Sequence, residues 1–291
     1  MARGNLISML EISAPFPLRL LSDGVTLGDG AGPFGLVPRP KWSKLLPPDD
    51  QNRVPMVLWS PLIEVDGLRI LVDCGCGDKN ADVLATQYEL RRADGTLIDD
   101  LAHAGLSPAD IDVVVLTHLH GDHCGWATRR NGDAIVPTFP NARYYVQRRE
   151  YEDATHPNER TRNTYFPDNF VPLLDAGVLT LLDGAAQITT SLRVVLTPGH
   201  STGHQSVIVE VPGAAPYMHT GDLSIYAIHL ARMPWVPAYD VLPMTSIESK
   251  REQQEWALRT QALLTFSHDT QMPAGRLVRS DRGFVDVQKV A

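Results

Sequence analysis

The stretch Ile111-Asp112-Val113-Val114-Val115-Leu116-Thr117-His118-Leu119-His120-Gly121-Asp122-His123 decides how this chain is read. Apart from Asp112, its first half is apolar and mostly β-branched, the pattern of a strand buried on both faces. Its second half sets His118, His120, Asp122 and His123 just past the end of that strand, where layered α/β folds keep their sites. Imidazole nitrogen and carboxylate oxygen together suit zinc and other first-row divalent ions. In an extended backbone alternate residues share a side, so His118 and His120 point the same way. A turn at Gly121 lets Asp122 and His123 reach a second position. Chance yields His-x-His-x-Asp-His in roughly one chain in a thousand of this composition, which makes a metal site the stronger reading.

Working outward, three later positions supply further ligands. His200 stands in Thr197-Pro198-Gly199-His200 after the apolar run Leu192 to Leu196. Asp222 follows a run ending at His219, and His268 stands in Phe266-Ser267-His268-Asp269. Each lies just past an apolar run, so all can converge on one sheet edge, with Asp222 placed to bridge two metals. A lone histidine is more often packed or solvated than a ligand, and that ordinary reading is kept for His103, His156 and His219.

Around these motifs, strands and helices alternate, the pattern of an α/β layered fold. Asp66-Gly67 between Pro61 to Val65 and Leu68 to Val72 signals a hairpin. Residues 96 to 104 read as a helix stopped by Gly105. Tyr144 to Val146, Val178 to Leu182, Leu192 to Leu196, Ser206 to Val211 and Tyr217 to His219 read as strands. Thr245 to Glu248 fits a capping box, with Glu248 to Leu264 helical. Leu277 to Val290 returns to short strands. Gly24 to Pro48, rich in glycine and proline with Phe34 and Trp42, reads as a long ordered loop. No linker is marked, so residues 1–291 are expected to form one domain.

Composition narrows the classes. The chain is 43% hydrophobic and 21% charged, ordinary for a soluble globular protein. A net charge of -8 argues against nucleic acid as a partner. No apolar run is long enough to span a membrane. Met1 to Leu21 is broken by Glu11, Pro15, Pro17 and Arg19 and does not read as a signal peptide, so the expected location is the cytoplasm. Cys74, Cys76 and Cys124 form neither a zinc ribbon nor a disulfide framework and read as packed, reduced thiols.

Together, the His-x-His-x-Asp-His run, Pro198-Gly199-His200, Gly221-Asp222, His268 and the early Asp73 in Val72-Asp73-Cys74-Gly75 resemble the metallo-β-lactamase superfamily across essentially the whole chain. The resemblance implies an αββα sandwich, two mixed sheets flanked by helices, with two divalent ions at one edge. Zinc is the first candidate; iron, manganese and cobalt are the alternatives. It further implies that His118, His120 and His200 hold one ion, that Asp122, His123 and His268 hold the other, that Asp222 bridges them, and that Asp73 supports the ligands from behind. True β-lactamases have a cysteine at the Asp222 position or lack that bridging carboxylate, which argues against antibiotic hydrolysis.

A further tier of motifs resembles the quorum-quenching lactonases and related phosphotriesterase-like hydrolases: Phe34-Gly35-Leu36-Val37-Pro38, Trp42 to Pro48, His156 to Arg162 and His229 to Trp235. The expected reaction is opening of a lactone ring, of the N-acyl homoserine lactone type, by a metal-bridging hydroxide. Asp122 would pass a proton to the departing alkoxide. Some lactonases of this kind carry a catalytic tyrosine three residues after the bridging aspartate. Here that position is Ile225, and Tyr226 follows it as the candidate. Phe34, Ile225, Tyr226, His229 and Trp235 are the expected substrate-binding wall, suited to a small lactone or ester with an acyl or aryl part. An arylesterase or phosphotriesterase on the same site is the near alternative. A nuclease, a mono-iron oxygenase and a structural metal protein rank lower. A homodimer stays open.

Overall fold

The computed structural model describes residues 9–290; residues 1–8 of the N-terminal stretch, and Ala291, lie outside them. Within the apolar run Ile111 to Leu116, Val113–Val115 is a strand in the interior of a seven-stranded sheet. In sheet order, the strands are Leu10–Glu11, Leu18–Asp29, Arg53–Val65, Leu68–Val72, Val113–Val115, Arg143–Gln147 and Leu179–Leu182. The first four pair antiparallel and the last four run parallel, so the sheet is mixed. A second seven-stranded sheet orders Ala186–Gln187, Leu192–Leu196, Gln205–Val209, Tyr217–His219, Leu263–Thr265, Ala274–Arg279 and Val285–Lys289. Only Tyr217–His219 and Leu263–Thr265 pair parallel in it.

The period-two alternation of strands explains the layers. Val113 and Val115 face the second sheet, packing in one cluster with Ile70, Val72, Val194, Val207 and Tyr217. Val114 points the other way, into a cluster with Leu97 and Leu101 of the helix Leu97–His103. The outer face of the second sheet, through Ile208, Met218 and Leu264, packs on Ala257 of the helix Pro243–Thr260. Helices therefore cover both outer faces, and the architecture is the αββα sandwich that the sequence implied. Each buried valine of the middle strand contributes about 1.5–3 kcal/mol over its exposed state.

Local chemistry matches several expectations. Asp66 and Gly67 both take positive φ, 57° and 75°, as a type I′ hairpin turn requires. Thr96 and Asp99 close a capping box at the start of Leu97–His103. All three cysteines are buried and free. Among the described residues no helix is long and apolar enough to cross a membrane.

Three readings are corrected. Gly24 to Pro48 is not one loop: Leu18–Asp29 continues as a strand through a bulge between Ser22 and Val25, and Ala31–Phe34 and Arg39–Trp42 are short helices. Gly24, at φ 107°, serves the bulge rather than ending the strand. The long helix starts at Pro243, where proline is favoured because its missing N–H needs no partner. Thr245 to Glu248 thus lie inside the helix. It ends at Thr260, with Gln261 left-handed, and Leu263–Thr265 is a buried strand.

Candidate metal centre

Five strand-end segments singled out in the sequence, bearing Asp73, His118 to His123, His200, Asp222 and His268, converge on one rim of the sandwich. The turn after Leu68–Val72 carries Asp73, which takes φ 56°, a conformation that aspartate tolerates better than most residues. Its carboxylate accepts the Thr117 N–H (2.7 Å), the Thr117 hydroxyl (2.8 Å) and His123 Nδ1–H (2.9 Å). One buried side chain thereby fixes the loop that bears His118 and the tautomer of His123.

Three further imidazoles are held at Nδ1, whereas His120 turns its own Nδ1 toward His200. His200 Nδ1 lies 3.1 Å from Asp240 Oδ1, and His268 Nδ1 donates to the Val57 carbonyl at 2.9 Å. His118 Nδ1 lies 3.0 Å from the Thr117 hydroxyl. With Nδ1 committed, Nε2 is left to face inward as a lone-pair donor. His118 Nε2 is buried without a hydrogen-bond partner, as is Asp222 Oδ1.

Those inward atoms gather closely. Three groups bring their ligand atoms within 4.8 Å of one another: His118 with His120 and His200; His118 with His123 and Asp222; Asp122 with His123 and His268. His120 Nδ1 and His200 Nε2 are 3.0 Å apart, and His123 Nε2 and His268 Nε2 are 3.2 Å apart. His123 and His268 both commit Nδ1 elsewhere, so their facing nitrogens can share a cation, a proton or a metal ion, between them. Asp222 spans the two sides: Oδ2 is 3.3 Å from His200 Nε2, while Oδ1 is 3.2 Å from His268 Nε2 and 3.4 Å from His123 Nε2. The donor set fits two divalent ions sharing one carboxylate.

Electrostatics divides the histidines: despite burial, Asp222 and the neighbouring carboxylates raise His123 well above, and His200 above, the ordinary imidazole value. Burial opposes the charge on Asp222, yet the imidazoles of His268, His123 and His200 outweigh it and hold its carboxyl well below the usual range. Burial, with the neighbouring histidines, pushes His118 and His120 well down, toward the neutral ligand form.

His204, not singled out in the sequence reading, belongs to the same rim. Its Nε2 accepts the backbone N–H of Asp222 at 2.9 Å, and Nδ1 bonds Thr197. Burial, then His200, holds its pKa down to about 3, so it stays neutral and keeps that acceptor. His219, expected to be packed, is buried against Thr265. His103 and His156 are exposed.

A cavity of about 370 Å³ opens beside these groups, and His120, Asp122, His200 and Asp222 line it. Its apolar wall is Leu27, Met56, Tyr88, Tyr239 and Val241; Arg160, Thr161 and Thr164 form a polar side. The expected wall is placed elsewhere. Phe34, Ile225, Tyr226 and His229 are buried, and Trp235 packs edge-on against Phe34. None of the five lines this cavity. Phe34 and Tyr226 line a separate cavity of about 180 Å³. Tyr226 caps the helix Ala227–Ala231, stacks on Phe34 and donates its hydroxyl to the Pro55 carbonyl at 3.0 Å, which commits that hydroxyl to the backbone. Ile225 acts through its backbone, its carbonyl accepting the His268 N–H at 3.2 Å. The sequence reading missed Asp240, His204, Tyr88 and Tyr239. Arg160 was present only inside the His156 to Arg162 motif.

The family model of the metallo-beta-lactamase superfamily matches residues 59–265, well over half of the chain. The chain belongs to the metallo-beta-lactamase superfamily. Its enzyme class is metal-dependent hydrolase. The N-acyl homoserine lactonase AttM of Azorhizobium caulinodans is 31% identical over 190 residues, covering 62% of this chain and 67% of that relative. Among solved structures, a probable metal-dependent hydrolase from Staphylococcus aureus superposes with a TM-score of 0.84 at 29% identity, covering 98% of this chain and 99% of that one. The dizinc quorum-quenching lactonase AidC, in complex with a product, gives 0.78 at 19% identity, covering 98% of both chains, a likeness of fold alone.

Proposed function

We propose that this superfamily member is a dinuclear metal-dependent lactonase acting on N-acyl homoserine lactones or close analogues, with zinc as its metal. The observation that carries the reading is Asp222, whose two oxygens face different histidine groups at 3.2–3.4 Å. His118, His120 and His200 would hold one ion, Asp122, His123 and His268 the other. Bound there, the pair would supply Lewis acidity and an activated water.

The chain's own residues do the rest. Asp73, Asp240 and the Val57 carbonyl hold three imidazoles in their ligating tautomers. Asp122 faces the cavity and would carry a proton to the departing alkoxide. Leu27, Met56, Tyr88, Tyr239 and Val241 would cover the acyl chain and exclude water, while Arg160 and the two threonines would meet its polar atoms. Lactonase names among the relatives support the substrate class.

The test is a panel of lactones, aryl esters and phosphotriesters on one zinc-loaded preparation. N-acyl homoserine lactones should give the highest kcat/KM. An aryl ester or phosphotriester turned over faster than any lactone would transfer the assignment to that class.

A further inference from the structure

Glu150 is fully buried, yet it lines neither cavity and takes no part in the chemistry above. It sits in the first turn of the helix Arg148–Thr155, directly after the strand Arg143–Gln147. A buried carboxylate is costly unless its lone pairs are satisfied, and Glu150 satisfies them on three separate segments. Oε1 accepts the Leu119 N–H at 3.0 Å and the Tyr165 hydroxyl at 3.2 Å; Oε2 accepts the Ser201 hydroxyl at 2.5 Å.

Each partner adjoins a metal-ligand candidate of one group. Leu119 lies between His118 and His120, and Ser201 follows His200. Tyr165 bridges to His120 through the backbone and sets its ring 5.1 Å from the His120 ring. The same helix grips the turn after His200 further: Thr202 bonds Asp153, and Arg149 Nε reaches Thr202 at 3.3 Å. A Cβ on Gly203 would meet the Glu150 backbone nitrogen at 2.3 Å, so glycine permits this close seat. Asp122, His123 and His268 have none of these supports. The Val57 carbonyl supports His268 alone, while Asp73 serves both sides, holding His123 and the Thr117–His118 segment.

We propose that Glu150 is a positioning residue that ties the Leu119 and Ser201 segments together and so sets the affinity of the His118–His120–His200 metal position separately from the other. This rests on the two-metal reading above.

Zinc affinity of the chelator-stripped protein, measured by competition with a chromogenic chelator, tests it. The wild type should bind two zinc ions. Glu150→Ala should weaken one binding step by about 10–100-fold, the usual cost of losing a ligand's support, and leave the other unchanged. In a His200→Ala background, which lacks the supported position, Glu150→Ala should change nothing in the remaining step. Glu150→Gln should recover most of the affinity, because its carbonyl still accepts from Leu119 and Tyr165 while its amide faces Ser201. Should Glu150→Ala fail to fold, the Tyr165→Phe/Ser201→Ala pair takes its place, with the same selective loss expected. Equal weakening of both steps, or of neither, overturns the inference. A wild type that binds fewer than two zinc ions overturns the dinuclear reading itself.

Discussion

Asp240 Oδ1 lies 3.1 Å from His200 Nδ1, so a carboxylate one residue beyond the cavity-lining Tyr239 aims an imidazole at the centre of the site. The contact joins the cavity wall to the proposed metal position. Asp240→Ala should lower zinc affinity and kcat/KM by about 10–100-fold with little change in fold. Asp240→Asn, whose amide oxygen still accepts the Nδ1 proton, should lose less. Chelator competition and circular dichroism on the two variants check this; equal losses in both would assign the effect to charge rather than orientation.

Asp222 and His219 are three positions apart and offer an internal contrast. Asp222 faces both histidine groups, whereas His219 is packed against Thr265 and lies 3.9 Å from Asp73. Asp222→Ala should release metal that His219→Ala retains, as elemental analysis of the two folded variants would show. Equal loss would place His219 in the site and overturn the strand alignment drawn here.

The apolar wall gives a chain-length expectation. Each methylene buried against Leu27, Met56, Tyr88 and Tyr239 is worth about 0.8 kcal/mol. Lengthening an acyl chain should therefore raise kcat/KM by up to about four-fold per methylene until the cavity fills. Tyr239→Ala should flatten the trend. Trp235→Ala, which removes a side chain packed against Phe34 outside this cavity, should preserve it. A trend lost in the tryptophan variant and kept in the tyrosine variant would reverse the assignment of the wall.

Lys250 makes stability depend on pH. Its Nζ donates to the carbonyls of Trp235 at 2.8 Å and His229 at 3.0 Å, bracing the segment after Asp222. Burial pulls its pKa from 10.5 down to about 8, against the pull of Asp240. Between those values the unfolded chain holds a proton that the folded chain has released, so stability rises with pH. Below about 8 both states are charged, and the cost of burying the charge is present in full. The unfolding free energy of the wild type minus that of Lys250→Met should grow by on the order of 2 kcal/mol from pH 8 to 10. A flat difference curve would contradict it.

The legible parts of this protein are those with local causes. Val113 to Val115 announce a strand by their branching, and Asp66-Gly67 a hairpin by their freedom at positive φ. The metal-ligand candidates are legible because residues that share an ion must stand at fixed spacings near strand ends. Asp240, Glu150 and His204 are not, because each supports the site through a contact formed only when distant segments pack. The residues expected to form the substrate wall lie apart from the larger cavity for a related reason. The apolar residues after Asp222 do cluster with Phe34, as their composition suggests, but they fill core behind the rim. Tyr88 and Tyr239 reach the cavity from segments with no apolar periodicity. Glycine and proline hid the strand through Asp29, since a bulge tolerates what a flat strand does not.

The central claim, two metal ions held by His118, His120, Asp122, His123, His200, Asp222 and His268 and working as a unit, meets its most direct test in one titration. Metal-free protein receives zinc stepwise while lactone hydrolysis and bound zinc are followed together. Hydrolysis should rise to its plateau only as the second equivalent binds, and a chelator should abolish it. Full activity at one equivalent, or in protein without metal, would contradict the account.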